Sequence, residues 1–198
     1  MAKENPEIRK VLDALVGIFM EHNLCCYEIG TLFNRIRELP QAGHEGLSKS
    51  DREAKTRALN EQMSKESSIC YRMGLKYDEL RRLLGQQEAE ALIENDPKLS
   101  FTDVVLYGKV AERFSESQVV AHGIHKMVPL VEYAELNGMT LADADPGASE
   151  ISLLQNDGRW KRRKFRDCSA DELGQTVIAI KAQRGILVDD TLDSFDLD

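Results

Sequence analysis

Aromatic side chains make up only 6% of this chain, with a single tryptophan, so its core must rest on Leu, Val, Ile, Ala and Met. No stretch approaches the ~18 consecutive apolar residues of a membrane span. The opening Met1-Ala2-Lys3-Glu4-Asn5-Pro6 lacks the basic-then-apolar order of a secretory signal. A cytoplasmic protein with no membrane partner is expected. Cysteine is limited to Cys25, Cys26, Cys70 and Cys168, with no C-x-x-C pair. Adjacent cysteines rarely bridge each other, so free thiols in or near a core are expected. His22 with Cys25 and Cys26 resembles half a metal site, and His122 with His125 has a helical i, i+3 spacing. Neither group has an obvious second half, so neither metal nor cofactor is expected. The sequence has no Gly-rich phosphate loop, G-x-S-x-G elbow or H-E-x-x-H pair. Its carboxylates fall on charged helical stretches, where a solvated face explains them. Enzymatic activity is not expected.

What is present is ordinary in bulk. A chain of 198 residues with 42% hydrophobic and 30% charged residues can bury a real core, in one domain or two small ones. Asn5 can cap a first helix with Pro6 at its first position, and Ile8, Val11, Leu12, Leu15, Val16, Phe19 and Met20 repeat at three- and four-residue steps. That helix is expected to end near Asn23. A second, from about Cys26 to Glu38, carries Ile29, Leu32, Phe33 and Ile36, and the two should zip into a helical hairpin. A loop at 40–49 then leads into a charged, mostly solvated helix from about Ser50 to Met73, closed by Gly74. Helices at 77–84 and 88–95 follow. Ser100 with Asp103, Ser115 with Gln118, and Ser169 with Glu172 mark further N-termini. Pro129 is harmless if its helix starts near Lys126, because the first amides lack intrahelical partners.

The strongest departure from ordinariness comes late. Arg159, Lys161, Arg162, Arg163, Lys164 and Arg166 crowd into R-W-K-R-R-K-F-R, inside a chain of net charge −8. Such density repels itself, so an opposite charge should lie against it. The run follows Asn156-Asp157-Gly158, the strongest short hairpin signal, with Glu150–Gln155 as the partner strand. In an extended strand Arg159, Lys161, Arg163 and Phe165 share one face, and Trp160, Arg162, Lys164 and Arg166 the other. A ribbon of this kind can follow a phosphate backbone, with Trp160 or Phe165 anchoring it. The chain ends in D-D-T-L-D-S-F-D-L-D, whose aspartates alternate with Leu192, Phe195 and Leu197. A tail of that composition suits docking on a partner protein, or shielding the basic run until a ligand displaces it.

The stretch L-S-F-T-D-V-V-L-Y-G-K-V-A-E-R-F, preceded by a helix containing Ala89, Leu92 and Ile93, loosely resembles the recognition helices of bacterial helix-turn-helix DNA-binding regulators. The resemblance covers Glu88 to Phe114. It implies that Thr102, Lys109 and Arg113 face DNA while Val104, Val110 and Phe114 pack inward. The turn lacks the family's usual glycine, and the preceding helix is acidic (Glu88, Glu90, Glu94, Asp96).

The sequence therefore predicts a mainly α fold: a multi-helix domain at 1–138 with a helix-turn-helix, a linker at 139–149, a β-hairpin plus helix module at 150–185, and an acidic tail at 186–198. The expected function is a DNA-binding transcription regulator that grips phosphates with Arg159 to Arg166. Its N-terminal hairpin would serve as a dimerisation element, since two-fold operators favour dimers. The alternative is a non-enzymatic scaffold that assembles protein partners through the helical domain and acidic tail.

Overall fold

The capping residues written into the sequence are found capping. Asn5 Oδ1 accepts from the Glu7 amide at 3.0 Å, and Ser100 Oγ from the Asp103 amide at 3.4 Å. Ser115–Gln118 and Ser169–Glu172 each close a reciprocal capping box. The computed structural model that shows this describes residues 5–37, 49–141, 145–155 and 157–186. Its contacts divide the chain into two compact units, Met1–Ile124 and His125–Asp198.

The first unit is helical. It comprises α1 (Pro6–Arg37), α2 (Lys49–Leu84), α3 (Gln86–Glu94), α4 (Phe101–Arg113) and α5 (Glu116–His122). All four other helices pack against α2. Helix α1 runs antiparallel to it, as the pairs Glu28–Lys65 (3.6 Å) and Glu21–Arg72 (2.9 Å) require. Leu15, Ile69, Met73, Leu80, Ile93 and Val110 are fully buried between these helices. The Tyr77 hydroxyl donates to Glu90 of α3 at 3.2 Å, and Arg81 reaches Glu112 of α4 at 3.6 Å.

Two expectations change here. The first two helices are not a hairpin but one continuous helix, α1. Nothing between Asn23 and Cys26 removes an amide donor or demands an unusual backbone angle, so helix propagates through it. Gly74 does not end a helix either; α2 passes through it. Its missing Cβ serves packing, because a methyl there would strike the Tyr107 carbonyl of α4. Of the loop expected at 40–49, residues 40–48 lie outside the described residues and Lys49 already begins α2.

The second unit holds the rest of α6 (Ile124–Asn137), β1 (Glu150–Leu154), β2 (Trp160–Lys164) and α7 (Ala170–Gln183), with short 3-10 turns at Pro146–Ala148 and Phe165–Asp167. Helix α6 starts two residues before the expected Lys126, so Pro129 lies beyond the first turn and offers no N–H to the His125 carbonyl. Helices α6 and α7 are tied by Lys181 to Glu132 at 2.6 Å and by Arg184 to the Leu136 carbonyl. Met127, Leu130, Ile151, Leu153, Phe165 and Leu173 form the core. No described helix is long and apolar enough to cross a membrane.

Candidate functional site

The basic run is built on an antiparallel ribbon whose register pairs Leu154 with Trp160, Ser152 with Arg162 and Glu150 with Lys164. Directly opposed residues share a face. Those pairs therefore form one face, and Ile151–Arg163 and Leu153–Lys161 the other. Ile151 and Leu153 are fully buried, which fixes the second as the inner face. The far edge of β1 is closed by side chains. Its Ser152 amide donates to the Tyr133 hydroxyl at 3.0 Å, and its Leu154 amide to Thr176 Oγ1 at 3.1 Å. No described strand pairs with the far edge of β2.

This scaffold sorts the cations. Arg163 Nη1 donates to Glu172 Oε1 at the start of α7, 2.9 Å away. The Ser169 backbone N–H, and after it the Arg163 guanidinium, hold the Glu172 carboxyl below its ordinary range. Arg166 donates to the Gly147 carbonyl at 3.2 Å and to Asp145 at 3.3 Å, clamping the Pro146–Ala148 turn. Arg159 lies 3.7 Å from Asp157 within the hairpin turn, and both are largely in solvent. Lys161, Arg162 and Lys164 make no ion pair among the described residues and are exposed. Beside the last two on the outer face stands Trp160, 47% exposed.

The strand is shorter than the sequence pattern suggests. It stops at Lys164, and the chain turns into a 3-10 segment that buries Phe165 completely. Phe165 is thus the anchor, with the Lys126 amine 4.7 Å over its ring. Burial lowers the Lys126 pKa, and its amine donates to the Arg166 carbonyl at 3.1 Å. Asn156 and residues 187–198, which contain the acidic tail, lie outside the described residues.

Thr102, Lys109 and Arg113 belong to the first unit and share one face of α4. The opposite face buries Val104, Tyr107, Gly108 and Val110, and Phe114 is buried at its end. Thr102 and Lys109 are only half-exposed, and Lys109 and Arg113 both engage other groups of the fold.

A second constellation in the first unit was only half visible in the sequence. His22 and Cys26 lie one turn apart on α1, and Glu66 faces them from α2. Cys26 Sγ is 3.5 Å from His22 Nε2 and 3.5 Å from Glu66 Oε1, and the last two atoms are 3.7 Å apart. Burial, and then the Glu66 charge, push the Cys26 thiol up to about 12. Cys25 turns away, donating to the Gln62 carbonyl at 3.7 Å. His122 closes α5 and His125 lies in α6, so their spacing does not fall on one helix.

Comparison with protein-family models, curated proteins and solved structures found no match for this chain.

Proposed function

We propose that this protein binds duplex DNA through the β1–β2 ribbon, by its phosphates rather than its bases. The observation that carries this reading is the division among the cations. Arg163 and Arg166 are committed to the fold, while Lys161, Arg162 and Lys164 reach solvent without a carboxylate in range among the described residues. Like charges held this close on a rigid strand repel one another, and a polyanion relieves that repulsion.

A charged open edge also keeps a sheet from pairing with another. Edge protection accounts for charge on β2, but not for charge of a single sign, nor for a tryptophan 47% exposed beside it. An aromatic flanked by cations suits a backbone, where the ring packs on sugar while the cations meet phosphate. Helix α4 adds less to this reading, because Lys109 and Arg113 are engaged elsewhere.

Trp160 is the protein's only tryptophan, so its emission reports on this face directly. Titrating the protein with a random-sequence duplex at ~50 mM salt should change that emission saturably, and added salt should reverse the change. A variant with Arg162→Glu and Lys164→Glu should lose the response. Unchanged emission together with no retention on immobilised duplex would remove the proposal.

A further inference from the structure

The apolar stripe of α1 contains a polar interruption. Val11, Leu15 and Cys25 are buried along it, and so is His22, at 8% exposure. The facing stripe of α2 runs Cys70, Met73, Tyr77 and Leu80, and its N-terminal extension is Glu66, at 3%. Two antiparallel core helices thus each place one ionisable side chain at a position their periodicity reserves for an apolar one, and the two positions face each other. Burying such groups is costly unless they are well partnered.

The protein's own atoms partner the imidazole poorly. His22 Nδ1 is buried with no hydrogen-bond partner at all. Nε2 has only the Cys26 sulfur at 3.5 Å, and the Glu66 oxygen at 3.7 Å lies beyond good hydrogen-bond range. The rings of Phe19 and Tyr107 flank it at centroid distances of 6.2 and 6.0 Å and supply no acceptor for its ring N–H. Nδ1 stays without a partner whatever Nε2 does, and on the Nε2 side only a long sulfur contact and a carboxylate oxygen face the ring.

The same geometry suits a cation. The donor atoms form a nearly equilateral triangle with sides of 3.5, 3.5 and 3.7 Å. In a regular tetrahedron the edge is about 1.6 times the metal–ligand distance, so an ion about 2.2 Å from all three would see them as three corners, within the range for zinc with nitrogen, sulfur and oxygen ligands. A histidine and a cysteine one helical turn apart present both donors on one side of α1, and α2 contributes the carboxylate. This is the one such group among the described residues.

We propose that His22 Nε2, Cys26 Sγ and Glu66 Oε1 bind a divalent transition-metal ion, zinc by the chemistry of the donor set, with a fourth position left for water or a ligand atom. The mixed set of borderline nitrogen, soft sulfur and hard oxygen disfavours magnesium and calcium, which take oxygen ligands. On binding, the Cys26 thiol proton leaves to solvent and the sulfur–metal bond takes its place. The ion would cross-link α1 to α2 midway along their contact. This site is independent of the ribbon, and DNA binding can fail while metal binding holds.

The test uses the full-length protein, stripped with a chelator and then loaded with cobalt(II) in place of zinc. One equivalent should give the visible d–d bands of a four-coordinate site and a thiolate-to-metal charge-transfer band in the near ultraviolet. Zinc should displace cobalt and raise the thermal midpoint. Cys26→Ser should remove the charge-transfer band while Cys168→Ser, in the other unit, keeps it. Glu66→Gln should weaken zinc binding by well over ~10-fold, the loss that removing only an outer partner already causes. Because each variant could disturb packing, circular dichroism must first confirm that its helices persist, and the wild-type titration stands without any variant. Absence of stoichiometric cobalt or zinc binding by folded wild-type protein, or a charge-transfer band that survives Cys26→Ser, overturns the proposal.

Discussion

Arg163 gives its charge to Glu172 across 2.9 Å, while its strand neighbour Arg162 makes no ion pair among the described residues. Two adjacent positions on β2 thus carry a cation that holds the fold and one available to a ligand. Arg163→Gln should cost ~0.2–1 kcal/mol of stability, since the pair is partly exposed, and spare DNA affinity. Arg162→Gln should do the reverse, leaving stability within ~0.5 kcal/mol and weakening DNA binding. Urea unfolding and fluorescence anisotropy on both variants read the two effects apart. Equal effects on both properties would contradict the division.

Acid should act through the same pair. Glu172 titrates below its ordinary 4.5, held down first by the Ser169 N–H and then by Arg163. A carboxyl lowered on folding contributes fully above its unfolded pKa, and that contribution is lost as pH falls through the folded value. As pH falls below the ordinary carboxylate value and through the lowered one, wild type should therefore lose stability more steeply than Glu172→Gln does. Superimposable urea midpoints across that window would exclude the effect.

Glycine-to-alanine substitutions should split by sign. In an exposed helix interior the change stabilises by ~0.5–1 kcal/mol, and Gly17 and Gly30 of α1 have open space where a Cβ would go. At Gly74 a Cβ would meet the Tyr107 backbone, and at Gly108 the Tyr77 ring. Those two substitutions should destabilise by ~1–3 kcal/mol, the usual cost of overpacking. Thermal melts of the four variants decide it; stabilisation at Gly108 would mean that α2 and α4 do not cross this closely.

Much of the architecture was legible because local signals and tertiary packing agree. The capping serines, the Asp157-Gly158 turn beside β2 and the apolar periodicity each specify structure within a few residues. Legibility failed where a residue's role is set by a distant neighbour. Gly74 reads as a helix end, and only the approach of Tyr107 makes it an interior contact. Asn23 reads as a stop, yet nothing there breaks helix. Glu66 lies 40 positions from Cys26, so no spacing rule links them. The signal that was available was subtler: a histidine on the buried stripe of α1. For the ribbon, sequence gave the charge density, but which cations are spent on Glu172 and Asp145 could come only from the fold.

The claim that free cations on β2 bind a phosphate backbone is tested most directly by salt. Affinity for a random duplex should fall on a log–log plot with a slope of about −2.7, the value for three neutralised phosphates. Changing Lys161, Arg162 and Lys164 together to Gln should flatten that slope nearly to zero, with circular dichroism unchanged. A variant that keeps the wild-type slope would contradict the account, as would a wild type that shows no measurable affinity at low salt.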